Sequence, residues 1–346
     1  MIRFAARQFR TQALVAAIGL AALGVAVLAT GPHLFHLYDT TIVGCTGQGC
    51  DAATMVLGRQ DRVLQQVVEL LLMIVPALIG VFWGAPLAAR ELESGTFRLA
   101  WTQSVSRTRW MVVKLVLVVL AAILAAGLLS LMGTWWYTAL DRVGSNRFDP
   151  SLFTQRGLVP AGYAAFAVAL GTALGLVVRR TVPAMAITLV VFIGCLLVMT
   201  TWVRPHLLPP AHTRESIATA GGFGFTIGPS GTGQEFVVQP PPIHNAWILS
   251  SSVVDDRGHP MTSEFLKTAC PQLPSGPGPG AGSRAPANQD VFQQCVQKIA
   301  AVYHIVVRYQ PAGRYWIFQG METGIFVILA LGLGVFSVWW VRRRIV

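Results

Sequence analysis

The sequence predicts an all-α polytopic membrane protein with six transmembrane helices and a large extracellular domain between helices 5 and 6. Hydrophobic residues make up 53% of the 346 residues and charged residues only 12%, which lies outside the range of soluble domains. The mean hydropathy of the chain is correspondingly high, at +0.57. In addition, uninterrupted apolar stretches long enough to cross a bilayer recur along the chain.

Six apolar stretches are each predicted to be helices, because a segment in lipid must satisfy its own backbone hydrogen bonds. They cover about residues 13–29, 63–89, 111–137, 158–178, 182–203 and 316–341. An alternative for the first stretch is a signal peptide, since Val27-Leu28-Ala29 loosely fits a cleavage site, although the stretch is long for one. With six spans, both termini lie on the same side of the membrane.

The distribution of charge predicts which side that is. Thirteen of the 26 Lys and Arg residues lie in four short segments on the side of the N-terminus, together with only two acidic residues. Short cytoplasmic loops are enriched in Lys and Arg, so we expect a multi-pass plasma-membrane protein with both termini in the cytoplasm. The net charge of +11 then reflects topology, and no nucleic-acid partner is expected. The four segments are 1–11, 90–114, 179–180 and 342–344.

Four regions are predicted along the chain: 1–11, 12–203, 204–315 and 316–346. The first carries three Arg residues among apolar ones, which is typical of an amphipathic helix at a membrane surface. The second contains spans 1 to 5 and a polar loop at 90–114. The third is the extracellular domain, in which apolar residues recur at helical spacing from Asp290 to Tyr303. The fourth is span 6 with a cytoplasmic tail.

The five cysteines are distributed unevenly across the predicted membrane. Cys195 falls inside span 5, whereas Cys45, Cys50, Cys270 and Cys295 all fall outside the cell. In an oxidising exterior this predicts two disulfides, 45–50 and 270–295, and one buried thiol. The alternative of a metal site at the first pair lacks further ligands at suitable spacing, so no metal is expected.

No motif for chemistry of its own is found in the chain. It has no Gly-rich phosphate-binding loop with Lys-Ser or Lys-Thr, no Gly-x-Ser-x-Gly and no His-Glu-x-x-His. We therefore expect no enzymatic activity and no cofactor in this chain. Two carboxylates, Glu69 and Glu322, fall inside apolar spans and are candidates for a substrate path, although both lie near the predicted outer interface where hydration lowers their cost.

The polar loop at 90–114 carries more than a topological signal. Glu91 and Glu93 end span 2, Gly95 permits a sharp turn, and Ser106 is suited to cap the next helix. A loop that only anchors the chain by positive charge requires neither the acidic pair nor the glycine. Its basic residues are suited either to lipid head groups or to a protein partner.

The loop pattern Arg-Glu-x-Glu-x-Gly-Thr at 90–96, followed by Ser-Arg and a later Lys114, resembles the cytoplasmic loop of ABC-2 type transporter permeases. These are six-span subunits of type V ABC exporters. Near the C-terminus, Tyr309-Gln310-Pro311-Ala312 and Trp339-Trp340-Val341-Arg342 are similar to actinobacterial members of this group. The resemblance covers the layout of the whole chain except the middle of the outer domain, about 205–290.

The resemblance implies a permease that exports a hydrophobic or amphipathic substrate. It implies a homodimer of permeases in a 2+2 complex with a separate cytoplasmic ATPase, which binds the ATP and Mg²⁺, and residues 1–11 correspond to the family's connecting helix. A membrane scaffold or sensor with an extracellular ligand-binding domain is the alternative, and a proton-coupled carrier is a third. The residues implied in ATPase coupling are Arg90, Glu91, Glu93, Gly95, Thr96, Ser106, Arg107 and Lys114.

Overall fold

The structure, a computed structural model, describes residues 2–41, 62–95, 106–141, 146–217, 222–227, 234–239, 243, 245–269 and 289–344. Within these residues six helices are long and apolar enough to cross a membrane, which confirms the six predicted spans. The chain forms two compact units, one containing the spans and the other comprising Leu208–Gly313. The side of the membrane on which each terminus lies stays a prediction.

The six spans follow the chain in order and two of them contain a π-helical turn. Span 1 is one continuous helix, so residues 2–11 form its first turns. The bounds are Ile2–Thr41 for span 1; Arg62–Ile79, the π-turn Gly80–Gly84 and Ala85–Ser94 for span 2; Arg107–Asp141 for span 3; Val159–Val178 for span 4; Thr181–Val198, the π-turn Met199–Val203 and Arg204–His206 for span 5; and Tyr315–Arg344 for span 6. A short helix, Pro150–Gln155, precedes span 4.

Span 4 is the most buried of the six and packs directly against the backbone of span 2. A Cβ atom added to Gly171 would lie 2.5 Å from the carbonyl oxygen of Gly80, and one added to Gly175 would lie 2.5 Å from that of Ala85. Only glycine permits such an approach, as is typical of small residues four apart in membrane helices. Spans 2 and 4 therefore form a tightly packed pair at the centre of the bundle.

Span 1 packs onto this centre through spans 2 and 3. Val27 joins an apolar cluster that contains Leu72 of span 2 and Trp136 of span 3. The Trp136 indole N–H donates to Thr30 Oγ1 at 3.1 Å, and Gln12 Nε2 donates to the carbonyl oxygen of Phe82 at 3.1 Å. These polar contacts replace water for groups that lipid cannot satisfy.

The second unit contains strands, so the prediction of an all-α protein is wrong for this part of the chain. Its described strands are Ala211–Ser216, Gly222–Ile227, Gln234–Gln239, Trp247–Asp255 and Tyr303–Gln310, labelled β1 to β5. Of these, β1, β5 and β4 form one antiparallel sheet in that order and β2 pairs with β3 in another. The predicted helix from Asp290 to Tyr303 is found at Gln289–Ala300, and Tyr303 begins β5 instead.

The cysteines are described only in part. Cys195 is a free thiol within span 5, as expected. Cys295 is 7% exposed and packs in the apolar cluster of the second unit, beside Ile299 and Ile305. Because Cys45, Cys50 and Cys270 lie outside the described residues, both disulfides stay predictions.

Candidate functional site

The end of span 2 is joined to span 3 by an ion pair. Lys114 Nζ donates to the Glu91 carboxylate, and the two side chains are only 6% and 13% exposed. The same ammonium group lies 4.8 Å from the ring centroid of Trp110, a cation–π distance. A charge this buried needs a partner, so the pair holds the first turns of span 3 against the last turns of span 2.

The end of span 2 is joined to span 5 by a second contact. Glu93 Oε2 accepts hydrogen bonds from the backbone N–H of Thr181 at 3.0 Å and from its hydroxyl at 2.7 Å. Thr181 is the first residue of span 5, whose free N–H groups and positive dipole end favour an anionic acceptor. Arg179, in a left-handed conformation, and Arg180 make the two-residue link from span 4. Glu93 thus supplies a cap to a helix to which it does not belong.

The polar end of span 2 stops at a glycine, as predicted. Gly95 has φ +72°, a left-handed conformation that ends the helix without a steric cost. Ser106 begins span 3 as predicted, because its Oγ accepts the Arg109 backbone N–H at 3.3 Å. Thr96 and the following residues 97–105 lie outside the described residues.

An apolar cluster lies at the same end of the bundle and ties four spans together. It contains Ala88 of span 2, Trp110 and Met111 of span 3, Leu176 of span 4 and Val341 of span 6, all of them at most 2% exposed. Arg179 also donates to the backbone oxygen of Arg344 at 3.3 Å. The last turns of span 2 are thus linked to spans 3, 4 and 6 through this cluster and to span 5 through Glu93.

The predicted coupling residues do not all share one environment. Arg90 is exposed and Arg107 is half-buried, whereas Glu91 and Lys114 form an ion pair with each other. The acidic pair, which the loop pattern suggests as a docking feature, makes its described contacts within the chain. The role of this region in docking an ATPase stays a prediction. Thr181 and the link at Arg179 and Arg180 were not predicted as part of the site, although a link of two residues forces the ends of spans 4 and 5 together.

Glu322 is buried at the other end of the bundle in an ion pair that sequence reasoning did not predict. Arg204 donates from Nε to Oε2 at 2.8 Å and from Nη2 to Oε1 at 2.9 Å. The Tyr163 hydroxyl donates to the same carboxylate, and the Phe153 ring centroid lies 4.4 Å from Arg204 Cζ. Glu322 is 0% exposed and Arg204 is 1% exposed. This arrangement joins spans 4, 5 and 6, and Arg204 belongs to the last helical turn of span 5.

Glu69 also has a described partner. The Tyr137 hydroxyl donates to its Oε1 at 2.9 Å, and Arg156 Cζ lies 4.3 Å from the centroid of the Tyr137 ring. This cluster joins spans 2 and 3 to the segment before span 4. Participation of Glu69 or Glu322 in a substrate path stays a prediction, but both carboxylates are held by neighbouring helices.

A family model described as ABC-2 membrane transporter related matches residues 17–204, from span 1 to the end of span 5. No curated protein and no solved structure matches the chain.

Proposed function

The chain belongs to the ABC-2 membrane transporter related family, and we propose that it is the permease subunit of an ATP-driven exporter whose ATPase is a separate chain. Family membership, which makes it a transmembrane transporter subunit, carries this proposal. The proposed cargo is hydrophobic or amphipathic and leaves the cell along the axis of a permease dimer. ATP and Mg²⁺ bind to the partner subunit.

The proposed docking region is the segment 90–114, on the face where both termini are expected. Its exposed charges include Arg90 and Arg109, which suit an acidic surface on the partner. The glutamates have a different part in this proposal. When the partner moves the segment, Glu91 pulls on span 3 through Lys114, and Glu93 pulls on span 5 through Thr181.

A homodimer is supported by the exposed face of span 5. Val182, Val190 and Trp202 are between 70% and 75% exposed, and little of this span is buried within the chain. We propose that a second permease covers this face and that lipid surrounds the rest of the bundle. Family membership favours this ATP-driven transport over a proton-coupled carrier.

Co-purification from the native host, followed by mass spectrometry, tests the proposal. We expect an ATPase with a phosphate-binding loop to be recovered with the full-length chain. Charge reversal of the exposed arginines, Arg90→Glu with Arg109→Glu, leaves both glutamate contacts intact. We expect it to reduce the amount of recovered ATPase at least about tenfold, because the new negative charges then face an acidic surface and like charges repel. The control is Arg257→Glu in the second unit. Recovery of the chain with no ATPase, but with an extracellular ligand, would favour the scaffold or sensor.

A further inference from the structure

An apolar groove of about 980 Å³ lies on the membrane-facing surface of the bundle between spans 3 and 6. It is open to the side, because Val116, Leu331 and Val335 in its walls are between 50% and 71% exposed. Span 4 contributes Ala165 and Ala169. Small residues there leave the space that larger side chains would fill.

One end of the groove is cationic. Arg342 and Arg343 line it and are exposed, and neither makes a hydrogen bond or ion pair with another described residue. Trp339 lines the groove one turn earlier and is 43% exposed. Tryptophan is enriched at membrane–water interfaces, so this end of the groove is expected to lie at the interface. The groove is therefore amphipathic, with positive charge at the predicted cytoplasmic end and hydrocarbon along the remainder.

The length of the groove matches one leaflet and part of the next. Its lining on span 6 runs from Val327 to Arg343, which is about 24 Å at a rise of about 1.5 Å per residue, against about 30 Å for a bilayer core. We propose that this groove binds an anionic phospholipid of the leaflet at the predicted cytoplasmic face. Arg342 and Arg343 pair with its phosphate, and its acyl chains lie along the groove.

Charge favours an anionic lipid over the other occupants of such a surface. A soluble anion gains nothing from the apolar walls, and a zwitterionic lipid offers no net charge to two arginines. A second copy inserted with the same orientation would bring its own Arg342 and Arg343 to the same depth, so a symmetric contact would oppose like charges. The inference requires only that the bundle spans a membrane, and it does not depend on the proposed transport activity.

Native mass spectrometry of the full-length protein, with phosphatidylglycerol and phosphatidylcholine added at equal concentration, tests this assignment. We expect at least about tenfold preference for phosphatidylglycerol, since each arginine near a phosphate adds a favourable ionic contact. Arg342→Gln and Arg343→Gln should each reduce this preference severalfold, whereas the matched change Arg344→Gln, outside the groove, should leave it unchanged. Ala330→Phe fills the groove without altering charge and should also reduce binding, while Leu329→Phe on the neighbouring face should not.

Three results would overturn the assignment. Equal retention of the two lipids by the unaltered protein indicates ordinary surrounding lipid. Unchanged phosphatidylglycerol binding after Ala330→Phe places the lipid elsewhere. A disulfide-linked dimer formed by Val335→Cys, with no lipid displaced, assigns the groove to a second copy.

Discussion

Glu322 lies fully buried where spans 4, 5 and 6 meet, and two hydrogen bonds from Arg204 balance its charge. Removing one member of a buried pair leaves the other uncompensated, which typically costs about 3–5 kcal/mol. We therefore expect Glu322→Gln to lower the apparent midpoint of thermal unfolding of the purified full-length protein substantially. The exposed change Glu264→Gln should leave that midpoint unchanged.

A double replacement separates charge from shape at this position. Arg204→Met combined with Glu322→Leu replaces both charged side chains with apolar ones of similar volume. The double variant should therefore recover most of the decrease in unfolding midpoint that Glu322→Gln causes. If Glu322→Gln instead unfolds at the midpoint of the unaltered protein, the pair is not structural, and the carboxylate returns as a candidate contact for substrate.

The unusual residues can be found from the sequence, but their partners cannot. Glu322 stands out because a carboxylate inside an apolar span is costly. Its partner Arg204 is 118 positions away and Tyr163 is 159 positions away, so no local spacing connects them. Gly95 and Ser106 were predictable because a helix end and a helix start depend on the conformation of a single residue.

The contact between spans 2 and 4 makes Gly171 a sharp test of helix packing. A Cβ atom at this position would lie 2.5 Å from the Gly80 carbonyl oxygen, which is backbone and cannot rotate away. Gly171→Ala should therefore separate the helices and destabilise the protein by about 1–3 kcal/mol. Thermal unfolding of the purified protein in detergent measures the effect.

Gly127 in span 3 is the matched control, because a Cβ atom there would meet nothing within 4 Å. Alanine favours an open helical position over glycine by about 0.5–1 kcal/mol, so Gly127→Ala should be neutral or stabilising. The two substitutions are chemically identical and should act in opposite directions. Equal effects would show that backbone contact does not hold spans 2 and 4 together.

The spans were predictable as elements, whereas the strands of the second unit were not. A membrane helix needs about twenty apolar residues and therefore leaves a strong signal. The strands have only six to nine residues, and several lie in sequence rich in Gly and Pro. The predicted helix extended past Ala300 because Tyr303 follows Ile299 at a helical step of four residues. In the structure Tyr303 belongs to β5, where Tyr303, Ile305 and Val307 alternate, and a short apolar stretch fits either period.

Across the whole molecule, the sequence predicted the number of spans and the family, which depend on composition and on one loop pattern. It did not predict which spans the loop is connected to, because Glu91 with Lys114 and Glu93 with Thr181 become neighbours only when the bundle packs. These two contacts give the proposed coupling separate routes into span 3 and span 5, and the routes can be tested independently.

Hydrogen exchange of the complex with its ATPase, with and without ATP and vanadate, is the measurement for these routes. We expect Glu93→Ala to abolish the nucleotide-dependent change in exchange at the start of span 5 and to retain that in span 3, because it removes only the Thr181 contact. Lys114→Met should abolish the nucleotide-dependent change in exchange in span 3 and retain that at the start of span 5, because it removes the Glu91 contact. Thr181→Ser keeps the hydroxyl and should preserve both changes, and recovery of the ATPase should be unaffected in all three variants. If Glu93→Ala abolished the nucleotide-dependent change in exchange in both spans equally, or released the ATPase, the glutamate would belong to the docking surface and not to a separate route into span 5.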